Sequence, residues 1–277
     1  MWKLLKAQCD IIINKKFFLF SFMFIMTCVI LNFFYNIYLY YGSDFSELIA
    51  FPEISLLGSN NISSYFFLKV YPFLLVFPAG FSLAEDKASS IELLWIQRSG
   101  RIKYYMSKLI AVFVMTFLCF FIPLVFETIL NMIAFCDDTH GNLYGYGLYT
   151  NSYEYICNYP FFNLYYNIPA LYSSVMAFLF GIVTASLATF PSAISCLFSK
   201  YKAYLLIPIY LFLYSADVLG IWGKTWISKN KVSFTRAISW CEYSVGKEQF
   251  INIILVCGVI FIFSAILYYY TARKDTL

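Results

Sequence analysis

The chain has 277 residues, of which 61% are hydrophobic, 22% aromatic and 12% charged, and its formal net charge is +4. Soluble domains carry about 45–50% apolar and about 25% charged residues, so a soluble fold of this size could not hide the surplus from water. A bilayer accepts it, because a helix of about 20 apolar residues satisfies its own backbone and crosses about 30 Å of hydrocarbon. The modest positive charge reads as membrane topology, and nucleic acid is not an expected partner. The expectation is an all-α, polytopic membrane protein forming one transmembrane domain over 1–277.

Residues 2–15 precede the first apolar stretch and have the pattern of a short amphipathic helix, with Trp2, Leu5, Cys9 and Ile12 on one face. Such a segment is expected to lie in the interface, its lysines towards anionic lipid. The apolar run that follows is too long for the core of a cleavable signal peptide. Six stretches are long enough to span, at about 17–41, 65–83, 108–135, 169–198, 203–221 and 250–270.

The segments between them set the orientation. Loop 42–64 holds Asp44, Glu47 and Glu53, and loop 136–168 holds Asp137, Asp138 and Glu154, with no Lys or Arg in either. Loop 84–107 holds Lys87, Arg98, Arg101 and Lys103; Lys200 and Lys202 follow the fourth stretch, and the tail has Arg273 and Lys274. Positive charge stays with the cytoplasm, which places both termini inside a cell membrane. Loop 222–248 breaks the pattern, since alternation puts it outside although it carries five basic residues, Lys224, Lys229, Lys231, Arg236 and Lys247.

The eight cysteines are scattered, with no CxxC pair, so neither a disulfide scaffold nor a metal site is expected. A Cys136–Cys157 bridge is the one pairing left open on the outer side. Gly223-Lys224-Thr225 imitates the end of a P-loop, but Val218 stands where the pattern needs glycine, so the chain has no ATP site of its own. With His140 as the single histidine, no catalytic residues and no enzyme activity are expected.

The most informative segment is Glu85 to Arg101. Ser89 and Glu92 have capping-box spacing, Ile91, Leu94 and Trp95 share one helical face, and Gly100 can end the helix. A short amphipathic helix bracketed by charge can dock into a groove on a soluble partner, or it can lie on lipid with its arginines snorkelling.

Together with Tyr104, Tyr105 and Lys108, the run Phe77–Ile110 resembles the permease subunits of ABC exporters of the type-2 permease class. In that family an acidic residue leads from the second span into a coupling helix, an arginine-containing turn such as Gln97-Arg98-Ser99-Gly100-Arg101, and a Tyr-Tyr-x-x-Lys entry to the third span. The resemblance implies that Glu85, Ile91, Glu92, Leu94, Trp95, Arg98 and Arg101 meet a cytoplasmic ATPase subunit. It also implies a second permease copy or a paralogue, with ATP and magnesium held by the partner, and re-entrant helices for the basic 222–248 segment. The substrate would be an antimicrobial peptide, a lipid or a related amphiphile.

Two other sets of residues stand out. Ser173, Ala177, Gly181, Ala185 and Thr189 recur every fourth position of the fourth stretch, a ladder of small residues that lets a neighbouring helix approach closely, for packing within one subunit, a translocation path or a subunit interface. Lys69, Glu127 and Asp217 lie at similar depth near the outer edge, where charges are more often hydrated than functional and where Lys69 could pair with either acid. The Tyr-rich 144–166 segment suits both an interfacial belt and an adaptable binding surface; the belt is the reading for 159–166, and the remainder stays open between the two. Two other functions remain open: a stand-alone binding or immunity protein acting at the outer face, and an ion channel or secondary transporter.

Overall fold

The computed structural model describes residues 2–42, 50–58, 61–135, 157, 159–196, 206–219 and 247–273. Among them every regular element is a helix: α1 Trp2–Ile13, α2 Lys16–Tyr40, α3 Phe51–Ile54, α4 Ile62–Val76, α5 Ser82–Ala88, α6 Ile91–Ser99 and α7 Arg101–Ala134. After these come α8 Phe162–Asn167, α9 Pro169–Ile194, α10 Leu206–Leu219 and α11 Lys247–Arg273. Four are long and apolar enough to cross a membrane: α2, α7, α9 and the Ile253–Arg273 part of α11. The chain therefore has the character of a polytopic membrane protein.

Helix α7 is the axis of the bundle, with α9 packed along it and α1, α2 and α11 against its other sides. The main core joins α2, α4, α7, α9, α10 and α11 through buried side chains such as Val29, Phe67, Tyr71, Phe120, Phe180, Leu213 and Ile253. The Tyr71 hydroxyl meets Thr184 Oγ1 at 3.0 Å inside it, tying α4 to α9. Outward faces carry exposed apolar side chains such as Leu31, Phe34, Val259 and Ile262, as a lipid-facing surface should.

Several boundaries differ from the expectations above. The second stretch is not one helix over 65–83, because α4 ends at Val76 and a turn over 77–81 separates it from α5. Pro78 has no N–H to continue the ladder. At Gly80 the chain closes so tightly on Val76 O that an added Cβ would lie 2.7 Å from that oxygen. The 84–107 segment is two helices and the first two turns of α7, which starts at Arg101 and not at 108. With 15 residues α4 is shorter than the length a span needs, and α10 has 14 among the described residues.

The N-terminal helix packs on the bundle. Ile12 is fully buried against Ala79, Ala111, Val112 and Met115, with Leu5 and Cys9 beside it, while Trp2 at the far end of the expected face is 80% exposed. Of the tyrosines assigned to an interfacial belt, Tyr159 and Tyr165 are buried, and both donate to Glu53 Oε1, at 3.2 and 2.9 Å. Burial and the Glu53 carboxylate hold the Tyr165 phenol well above its ordinary pKa, so it stays a donor. Cys157 carries a free thiol. Residue Cys136, the Tyr144–Tyr155 segment and the basic loop 222–246 lie outside the described residues.

Candidate functional site

Helix α5 is the hub of the basic end, because three consecutive side chains, Glu85, Asp86 and Lys87, reach three different elements. Glu85 Oε2 lies 2.6 Å from Lys15 Nζ in the α1–α2 corner, and Lys15 also stands 4.0 Å from Asp86 Oδ1. Asp86 Oδ2 takes Lys108 Nζ of α7 at 2.6 Å and accepts from the Tyr104 hydroxyl at 2.7 Å. Lys87 Nζ donates to the carbonyls of Ser195 and Cys196, at 3.1 and 2.9 Å. Those carbonyls end α9, so the ammonium sits at the negative end of the helix dipole.

Lys108 is 1% exposed, and a buried ammonium is tolerated only when it is paired and hydrogen-bonded. Asp86 supplies that pairing, and two lysines face two carboxylates across the cluster.

Helix α6 hangs on this cluster. Trp95 and Ile96 pack against Leu83, Tyr104, Tyr105, Leu109, Ala193 and Tyr268, and the Tyr105 hydroxyl donates to Glu92. Turned away from the bundle are Ile91, Leu93 and Leu94, exposed by 42, 60 and 58%. The face expected from sequence is thus divided, with Trp95 inward, Ile91 and Leu94 outward, and Leu93 as the added outward residue. Arg98 is exposed on the last turn, and Arg101 is half-buried at the start of α7.

The capping box is not formed. Ser89 Oγ donates back to Glu85 O at 2.8 Å, Glu92 is taken by Tyr105, and α6 begins after Ser90 in a left-handed conformation (φ 56°). Gly100 has positive φ as expected, but with ψ 148° it lies outside the left-handed helical region and serves as the joint between α6 and α7.

The ladder of small residues on α9 faces α7. An added Cβ at Gly181 would come within 2.9 Å of the Phe117 ring, and Ala177, Ala185 and Thr189 are buried, while Ser173 is half-buried. At Gly181 this is close packing of α9 on α7.

Of the outer-edge charges, Glu127 is buried and Lys69 is exposed. Glu127 is 1% exposed, and its Oε1 accepts from Asn32 Nδ2 at 2.9 Å and from the Leu56 N–H at 2.7 Å. Lys69 is exposed on α4 and forms no salt bridge among the described residues. Asp217 lies in α10, and its side chain falls outside the described residues.

Sequence reasoning passed over Lys15, Asp86 and Lys87 as sites. It met Tyr104, Tyr105 and Lys108 only as a motif, although Tyr104 and Lys108, four apart, share a helical face. Together the fold and this end of it define an all-helical membrane protein with a short helix held outside the bundle by Trp95, Ile96 and the Tyr105–Glu92 hydrogen bond, next to a cluster of paired charges. The chain matches no protein-family model, no curated protein and no solved structure.

Proposed function

We propose that the chain is the membrane-spanning permease subunit of an ATP-driven exporter, with α6 as the helix that a separate ATPase engages. The six apolar stretches are read as six spans, with both termini on the cytoplasmic side of a cell membrane. The observation that carries the reading is the two-sided character of α6. Ile91, Leu93 and Leu94 face outward, while Trp95 and Ile96 are anchored to the cluster that joins α7, α9 and α11.

A partner that grips the outward face would pull on this anchor. Force would reach α7 through Trp95, the Tyr105–Glu92 hydrogen bond and the Asp86–Lys108 pair, and α9 through Lys87. ATP-driven closure of two partner subunits would then tilt packed helices as rigid bodies and alternate access across the membrane. The path would need a second copy or a paralogue. ATP and magnesium would bind the partner, and an amphiphile such as a lipid or an antimicrobial peptide is the expected cargo.

The test is purification of the tagged chain from its native membrane in mild detergent, with Leu93→Asp/Leu94→Asp as the comparison. Both leucines are exposed, so the double variant should fold like the parent while losing a stoichiometric ATP-hydrolysing subunit. Trp95→Asp is less informative, because it would unseat α6 itself. If no ATPase accompanies the parent, or if the variant retains it, the coupling reading fails.

A further inference from the structure

The other end of α7 holds a buried charge of a different kind. The two donors to Glu127 are neutral, and no cationic side chain reaches it among the described residues. Asn32 also donates to Ile54 O at 3.1 Å, and Asn36 to the same oxygen at 3.0 Å. Helix α2 thus holds the turn after α3 over the carboxylate. An ionised carboxylate in hydrocarbon is normally paired, protonated or bound to a cation.

Beside Glu127 lies a cavity between α3, α7 and α9 with about 20 Å³ of room for the centre of a water-sized sphere. That volume suits one water or one bare ion. Its polar lining includes Ser55, Glu127, Thr128 and Ser173. Ser55 Oγ donates to Pro52 O at 2.8 Å and Thr128 Oγ1 to Leu124 O at 3.1 Å. Their hydroxyl protons are therefore spent, and what they can offer a guest is lone pairs. Ser173 Oγ is buried and has no hydrogen-bond partner.

Ser173 keeps its hydroxyl proton and Tyr172 also lines the cavity, but a buried carboxylate with no cationic partner among the described residues, backed by hydroxyl lone pairs, favours a guest that carries positive charge. Oxygen-only ligands favour a hard cation. A calcium ion would want six to eight oxygens, commonly from several carboxylates, and Glu127 is the only carboxylate among the described residues lining the cavity. An organic ammonium is too large for the volume. We infer that Glu127, with the hydroxyl oxygens of Ser55, Thr128 and Ser173, binds one monovalent cation, either a proton on the carboxylate or a dehydrated sodium ion in the cavity. Occupancy would cross-link α3, α7 and α9.

The other ionisable groups at this end are Glu53 on α3, which accepts from Tyr159 and Tyr165, Tyr172 on α9 and Tyr40 on α2. From α2 the groups towards Glu127 are the neutral Asn32 and Asn36, and Lys69 on α4 is exposed. None of these is removed by Glu127→Gln, so the difference between that variant and the parent isolates the site.

The experiment follows thermal unfolding of the purified full chain, with any subunit that accompanies it, in sodium chloride and in choline chloride at equal ionic strength. Each series is run at neutral and at mildly acidic pH, with infrared detection of protonated carboxyl. A site filled only in the folded state raises stability with ligand concentration. If the guest is sodium, the parent gains several degrees in sodium over choline, and Glu127→Gln loses that gain. If it is a proton, sodium has no effect, stability rises as pH falls, and a protonated-carboxyl band present at neutral pH disappears in the variant. Should Glu127→Gln fail to fold, Ser173→Val, which fills the cavity and spares the carboxylate, tests the sodium arm. The parent's infrared band alone then tests the proton arm. Absence of both the sodium gain and the band, or identical responses in parent and Glu127→Gln, overturns the site.

Discussion

Lys108 and Glu127 lie on the same helix, are both 1% exposed, and solve the problem of a buried charge in opposite ways. The run Leu109–Phe126 between them carries no charge. At about 1.5 Å per residue it is about 27 Å long, close to the hydrocarbon thickness. At the basic end the ammonium is met by Asp86 at 2.6 Å, within a cluster where Lys15 and Lys108 face Glu85 and Asp86. At the acidic end the carboxylate meets, among the described residues, an amide and a backbone N–H. The first arrangement fixes elements to one another. The second leaves a charge to be settled by something that can come and go. A closed ion pair is suited to carrying force, and an uncompensated carboxylate beside a small cavity is suited to responding to ions.

The same chemical change at both ends sharpens the contrast. Asp86→Asn leaves Lys108 buried with no counter-charge, and should cost about 3–5 kcal/mol of stability. Adding Lys108→Met should recover much of that loss, which thermal unfolding in detergent would read directly. Lys87→Met keeps the apolar stem but takes the cation from the end of α9. It should cost about 1–2 kcal/mol and loosen α9 more than α7, as hydrogen exchange over the two helices would show. Glu127→Gln should cost less than about 1 kcal/mol at neutral pH without sodium, because the amide oxygen still accepts from Asn32 and Leu56 and the buried charge is gone. Equal losses from Asp86→Asn and Glu127→Gln would break the comparison, since both carboxylates would then be structural ion partners.

How much of this was legible in sequence depends on the distance over which each feature is decided. The long apolar helices and the amphipathic start are local patterns, and the spacing of Gly181 within its ladder marked a close approach before Phe117 was known to fill it. Pro78 and Gly80 were equally visible, yet the apolar run around them hid the break they cause, so α4 was read too long. Depth along a helix placed Glu127 near the outer edge, but depth says nothing about the direction in which a side chain points. Its partners stand 95 and 71 residues away in Asn32 and Leu56, and Asp86 stands 22 residues from Lys108. No short window contains those pairings. Ser89 and Glu92 had the right spacing for a cap, but Tyr105 offered Glu92 a hydroxyl that a single-helix view does not contain.

The smallest expected effect concerns the joint that lets the rigid basic end present α6 at all. Helix α6 is hung between two residues of positive φ, Ser90 at 56° and Gly100 at 82°. Gly100 is the natural residue for its conformation. Ser90 is not, and its side chain makes no capping hydrogen bond that would repay the strain. An L-residue in the left-handed region costs about 1–2 kcal/mol, while glycine gives back about 0.5–1 kcal/mol through the entropy of its unfolded chain. Ser90→Gly should therefore stabilise the protein by up to about 1 kcal/mol, a rise of about 1–3 °C in unfolding temperature for a chain of this size. A fall would mean that the serine hydroxyl or its Cβ is needed at the joint. The orientation of α6 would then be fixed by Ser90 itself and not by the anchors at Trp95 and Glu92.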